Sequence, residues 1–223
     1  MRVFFVSLIL LILGISNIVF SQTLQLKSPN EAGLIWYAGK SSNITWTTTG
    51  TIPFVKLELS TDLGLSWTSI ASGVNNTGTY SWSIPEDVSE NCLIKISDFN
   101  NPAIGDTSDN AFTIKKPYIA LSQPNGGDYL NGCTTTPIVF THGGLNNYAR
   151  IYYSVDGGEK WTLIAEPYIG SGSGSSYNWS VPTVASDRVL IRVEDYYAPA
   201  VSDVSDAFFS IGTQLASHPD RLF

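Results

Sequence analysis

"STDLGLSW", Ser60–Trp67, and "SVDGGEKW", Ser154–Trp161, are the stretches whose reading decides the fold. Both spell Ser-x-Asp-x-Gly-x-x-Trp. The first follows the alternating apolar run FVKLELS, so Ser60 closes a strand, and Ser154 closes the matching one. The carboxylates of Asp62 and Asp156 are placed to accept hydrogen bonds from backbone N–H groups of the turn that follows. Gly64 and Gly158 take positive φ without a steric cost. Trp67 and Trp161 fold back over the hairpin. The motif joins two antiparallel strands, and none of these roles needs a substrate.

The pattern resembles the Asp-box of sialidases and related β-propellers. That resemblance implies one box in each four-stranded blade. Here each half of the chain has a single box. A chain of 223 residues is also too short for six blades of roughly 40–50 residues each. A sialidase propeller is excluded.

The boxes belong to a longer repeat. "SPNEAG" from Ser28 returns as "QPNGGD" from Gln123, and "YSWSIP" from Tyr80 returns as "YNWSVP" from Tyr177. "LIKISDFNNPAIGDTSDNAFTI" returns as "LIRVEDYYAPAVSDVSDAFFSI". The Gly/Ser run Gly170–Ser176 matches the shorter "VNNTGT", so it lengthens a loop inside the second copy. The linker is Lys115–Pro117. The boundaries that follow are a leader over 1–21, domains over 22–116 and 117–213, and a tail over 214–223.

Each unit is about 90 residues, close to the roughly 100 of an immunoglobulin-like sandwich. The first reads as strands LQLKS, NITWTT, FVKLELS, WTSIA, TYSWSI, CLIKIS and AFTIK. Alternation turns Ile44, Trp46, Val55, Leu57, Leu59, Tyr80, Trp82 and Ile84 inward. Phe140, Ile151, Tyr153, Tyr177, Trp179 and Val181 are their counterparts. No helical period occurs. The predicted fold is all-β: two tandem immunoglobulin/fibronectin-III-like antiparallel β-sandwiches after a signal peptide.

Composition narrows the function. The formal charge is −7 and no basic cluster exists, which excludes a nucleic-acid partner and disfavours anionic membranes. Met1–Arg2 followed by the apolar run Val3–Phe20 reads as a secretory signal, with a mature chain from Gln22 and no membrane span after cleavage; an uncleaved membrane anchor is the rival reading. Cys92 lies in the core register of "CLIKI" and Cys133 in a turn, so they read as free thiols rather than a disulfide.

"GLIWYAGKS", Gly33–Ser41, misses the phosphate-loop spacing and leads into a strand. Asp98, Asp106 and Asp109, with Asp195, Asp203 and Asp206, form an acidic cluster in each unit. They read as turn acceptors ahead of the last strand, with calcium as the sharper alternative. No cofactor other than that possible calcium is indicated, and no residue set is assigned as a metal site. Strand parity and loop position expose Tyr148, Tyr152, Tyr196 and Tyr197, where rings can stack on sugars or serve a protein interface. Neither His142 nor His218 sits in a triad or ligand spacing, and no catalytic residue is assigned. Asn43, Asn75 and Asn178 stand in glycosylation sequons.

Taken together, Pro29–Asn30, Trp46, the Asp62–Trp67 turn, Tyr80–Trp82 with Pro85, and Asp106–Phe112 resemble the immunoglobulin-like module of the yeast Ser/Thr-rich GPI-anchored cell-wall membrane protein family. The resemblance covers Leu24–Ile114 and Tyr118–Ile211. The second copy departs at Phe140 and Cys133, which match Trp46 and Lys40. It implies an extracellular interaction or spacer role without catalytic residues, as part of a larger exported protein. The expected partners are cell-wall or extracellular polysaccharide, or surface proteins. The rival expectations are a cell-wall glycan hydrolase or its accessory domain, and a calcium-rigidified spacer.

Overall fold

The structure, a computed structural model, describes residues 21–212. The expected leader, apart from Ser21, and the expected tail lie outside the described residues. The first half runs β1 (Thr23–Ser28), β2 (Ile35–Tyr37), β3 (Ser41–Thr49), β4 (Phe54–Ser60), β5 (Thr68–Asn75), β6 (Thr79–Ser83), β7 (Ser89–Asp98), β8 (Gly105–Thr107) and β9 (Phe112–Lys115). The second runs β10 (Tyr118–Gln123), β11 (Tyr129–Asn131), β12 (Thr135–Gly143), β13 (Ala149–Ser154), β14 (Thr162–Ala165), β15 (Gly174–Ser180), β16 (Ser186–Asp195), β17 (Ser202–Val204) and β18 (Phe209–Gly212). No helix of the described residues is long and apolar enough to cross a membrane.

Each half is a sandwich of a three-stranded and a six-stranded sheet. In the first the orders are β1-β3-β6 and β2-β9-β7-β4-β5, with β8 on β7. In the second they are β10-β12-β15 and β11-β18-β16-β13-β14, with β17 on β16. The all-β, tandem immunoglobulin-like class is therefore observed. Two strands in each half go beyond the seven read from sequence. Ile35–Tyr37, inside the stretch that looked like a failed phosphate loop, pairs in parallel with β9. Buried Trp36 holds it there, packed against Trp82 and Phe112 at ring distances of 5.8 and 5.1 Å. Gly105–Thr107 pairs with β7. A Cβ at Gly105 would stand 2.5 Å from the carbonyl oxygen of Ile96, so only glycine lets the strands approach.

The apolar residues form two separate cores. One gathers Ile44, Trp46, Leu57, Trp82, Ile94 and Phe112; the other gathers Ile138, Phe140, Ile151, Trp179, Ile191 and Phe209. Tyr80, Tyr153 and Tyr177 face inward but stay half-buried at the margins. Cys92 is a buried free thiol and Cys133 an exposed one. Cys133 corresponds to Gly39 rather than to Lys40. Both have positive φ, and their N–H groups donate to matching carbonyls, Val181 for Cys133 and Ile84 for Gly39.

Lys116–Pro117 alone separates β9 from β10. The turn after β2 reaches the second domain directly. A Cβ on Gly143 would collide with Tyr37 Oη, and one on Gly144 would lie 2.6 Å from Tyr37 Cγ. Lys40 Nζ donates to Asn146 Oδ1 at 3.1 Å. Burial, then the neighbouring Tyr118, pushes the Tyr37 phenol above its ordinary pKa.

Candidate functional site

The two boxes have one geometry. Ser60 Oγ, almost fully buried, donates to Asp62 Oδ1 at 2.7 Å and accepts the Gly64 N–H at 2.7 Å. Ser154 Oγ donates to Asp156 at 2.7 Å and accepts the Gly158 N–H at 2.8 Å. Asp62 also accepts the Ser66 hydroxyl and the Ser66 N–H; Asp156 accepts the Lys160 N–H at 2.9 Å. The hydrogen bonds from Ser66, then that from Ser60, hold the Asp62 carboxyl down to about 2. Those from Lys160 and Ser154 lower Asp156. Gly64 and Gly158 have φ of 88° and 96°, and the rings of Trp67 and Trp161 lie over them. Sequence reasoning credited the aspartates and missed that the buried serine hydroxyl is the centre of each turn.

The six further aspartates are spread over three kinds of contact. Asp106 Oδ2 accepts the Leu26 N–H at 2.8 Å, and Asp203 Oδ2 accepts that of Leu121 at 2.7 Å. Both amides sit at a register shift in the first strand of their sheet, where the ladder leaves a donor free. Asp109 and Asp206 pair with Asn30 and Asn125 through side chain and backbone alike. Asp98 accepts the Asn100 N–H, while buried Asp195 accepts the N–H groups of Asn146, Tyr197 and Ala198. Among the described residues no three His, Cys, Asp or Glu side chains converge on one point. His142 is buried beside Ser175, with Nε2 to Oγ at 3.1 Å, and burial lowers its pKa.

The outer face of the β14-β13-β16 sheet is the most developed surface. In one row Tyr148 bridges Tyr168 across the strands, and Tyr196 donates its N–H to the Tyr148 carbonyl. Ring centroids are 5.3 Å apart for Tyr148–Tyr168, 6.3 Å for Tyr148–Tyr196 and 4.8 Å for Tyr196–Tyr197. In the next row Arg150 faces Glu194, and beyond it Tyr152 faces Arg192. Arg150 stacks on Tyr196 at 4.1 Å, and Arg192 lies over both Tyr152 and Trp161 at 4.6 and 4.7 Å. Tyr148 and Tyr197 are exposed, as parity indicates. Tyr152 and Tyr196 are only half-buried rather than exposed, because the guanidinium groups cover them.

The charges of this face are matched. Arg150 Nε donates to Glu166 at 2.9 Å and lies 3.8 Å from Glu194; Arg192 lies 3.4 Å from Glu194. The Glu166 hydrogen bond, then that of Tyr196, raises the Arg150 pKa. Burial, and then the hydrogen bond to Glu194, raises the Tyr152 phenol. Tyr168, Arg150, Arg192 and Glu194 were missed from sequence. The signal was present in the i, i+2 pairs Arg150/Tyr152 and Arg192/Glu194, which share the outer face.

The first domain carries a plainer version. Lys95 lies over Trp67 at 4.3 Å, and Lys56 and Lys95 both bind buried Glu58, at 2.6 and 3.0 Å. Burial would raise Glu58, but the two lysine hydrogen bonds outweigh it and hold it low. Where Glu194 fills the second face, the first has Ser97, and an open groove of about 500 Å³ is left beside Gly105.

No family model matches the chain, and no curated protein does. Among solved structures it is similar to the fibronectin(III)-like modules of Clostridium thermocellum CbhA, at 18% identity and TM-score 0.31 over 90% of this chain and 100% of that one. It is similar to Sidekick-1 immunoglobulin domains 1–5 at 11% identity and TM-score 0.38, over 86% of this chain and 40% of that one. The I9–I11 tandem of titin gives 7% identity and TM-score 0.45, over 86% of this chain and 66% of that one. The immunoglobulin-like class rests on the sheets described above.

Proposed function

We propose that the chain is a non-catalytic, exported contact module that holds polysaccharide at the cell surface through the outer face of its second domain. The observation that carries this reading is the row Tyr168, Tyr148, Tyr196 and Tyr197, with Tyr168 and Tyr197 about two thirds exposed. Isolated exposed aromatics are ordinary, but a contiguous row marks a contact surface. A sugar ring offers an apolar C–H face to a tyrosine ring and a rim of hydroxyls to the phenol and carboxylate oxygens beside it. The buried carboxylates of the two domains' outer faces, Glu58 in the first and Glu194 in the second, are each held by two cations, which supports a structural role for them. Export is supported by the apolar leader, and a cell-wall setting by the resemblance to the yeast module.

The test is binding of the chain from Gln22 onward to cell-wall polysaccharides by affinity electrophoresis. Retardation by one polysaccharide, lost in Tyr196→Ala/Tyr197→Ala with unchanged melting, supports the reading. Absence of retardation by every polysaccharide refutes it.

A further inference from the structure

We infer that the tyrosine row takes an uncharged polysaccharide along internal stretches of its chain; this rests on the polysaccharide reading above and specifies its ligand.

The first argument is charge. The face holds two arginines and two glutamates, and every one is paired within it, Arg150 with Glu166 and Glu194, and Arg192 with Glu194. The charge of each guanidinium is already offset by a carboxylate beside it, so an added anion gains less there than at a free cation. A uronate or sulfate would have to compete with those carboxylates for the two arginines. It would also approach a protein of net charge −7, whose field repels polyanions. An uncharged chain meets neither obstacle, because hydroxyl groups hydrogen-bond to paired ions without displacing them.

The second argument is shape. The row runs across the strands from Tyr168 on the β14 side, through Tyr148, to Tyr196 and Tyr197 after β16, with each ring within 6.3 Å of the next. It lies at the end of the sheet, on residues just outside β13, β14 and β16, with the most exposed rings, Tyr168 and Tyr197, at its two ends. A chain end would touch one ring. A chain interior laid along the row touches several, and each adds a contact without a new loss of translational freedom. Part of the row is set in advance. Arg150 clamps Tyr196 at 4.1 Å, and buried Asp195 accepts the Tyr197 N–H at 2.7 Å.

The experiment uses the chain from Gln22 onward, titrated calorimetrically with soluble β-glucan, mannan and xylan, with alginate and polygalacturonate, and with oligosaccharides of increasing length. The expected result is saturable binding to a neutral polysaccharide that is insensitive to salt. Affinity should rise about tenfold or more from disaccharide to a length covering the row, then level off. Tyr168→Ala and Tyr197→Ala, both at exposed positions, should each weaken the long ligand several-fold, shorten the ligand length at which affinity levels off, and keep the melting temperature. Binding confined to the anionic polymers and abolished by salt overturns the uncharged assignment while leaving polysaccharide contact standing. Affinity independent of length overturns the chain-interior assignment. No binding to any glycan, or capture of a surface protein blocked by the same substitutions, overturns the polysaccharide reading itself.

Discussion

Replacing Ser60 with alanine tests whether the box turn is held by its serine. The Ser60 side chain is 1% exposed, so water cannot replace what it does. Its hydroxyl accepts the Gly64 N–H at 2.7 Å and donates to Asp62 at 2.7 Å. Alanine removes the acceptor and strands the Gly64 amide inside the turn, which costs about 1–3 kcal/mol. In a domain of this size each kcal/mol moves the melting temperature by about 4–8 °C, so the first domain should melt about 4–24 °C lower. Calorimetry of the wild type, Ser60→Ala, Ser154→Ala and Ser66→Ala makes the comparison. Ser154→Ala should lower the second domain's transition by the same mechanism. Ser66→Ala should do much less, because Ser66 is exposed and its backbone N–H still reaches Asp62. Amide exchange at Gly64 reports the stranded donor directly. A Ser60→Ala melt indistinguishable from wild type, with Gly64 exchange unchanged, would refute the reasoning.

Three other outcomes are expected. The Asp62 carboxyl lies at about 2, below its ordinary 3.8, so the unfolded chain binds more protons between those values. The stability it contributes is complete above about 4 and is lost as pH falls through about 2; Asp62→Asn should flatten that acid limb in melts across the range. Only Cys133 should react with a thiol reagent in the native protein, while Cys92, buried and with its pKa raised by burial, should react after denaturation; two rapid equivalents in native buffer would contradict the packing. Tyr37→Ala should widen the distribution of overall dimensions in solution scattering without shifting either domain's melt by more than about 1–2 kcal/mol, and an unchanged scattering curve would show that Tyr37 does not fix the junction.

What could be read from sequence is what short-range chemistry dictates. The box was legible because Ser60, Asp62, Gly64 and Trp67 act on one another within a single turn. The core was legible because Ile44/Trp46 and Val55/Leu57/Leu59 alternate cleanly in long strands. Strand β2 was not legible. It has three residues between Gly33 and Gly39, too few to show a period, and its partner β9 is far along the chain. The acidic repeats looked like possible ion ligands because sequence does not show that Asp106 and Asp203 meet amides freed at Leu26 and Leu121. Parity assigned Tyr152 and Tyr196 to the outer face correctly. It could not show that Arg192 and Arg150 lie on them. Tyr37 against Gly143–Gly144 needs both domains folded and docked before it exists.

The parallel strands β2 and β11 give the tandem a response to tension. Each lies near the start of its domain and runs beside the domain's last strand, β9 or β18, in the same direction. Pulling on the two ends of the chain draws such a pair past each other lengthwise. Their hydrogen bonds are then loaded together, rather than opened one at a time as in a hairpin pulled from its open end. In the first domain Trp36, wedged against Trp82 and Phe112, must slide with its strand. In each domain a pull on the chain ends thus meets a three-residue strand loaded in shear rather than a hairpin that opens bond by bond.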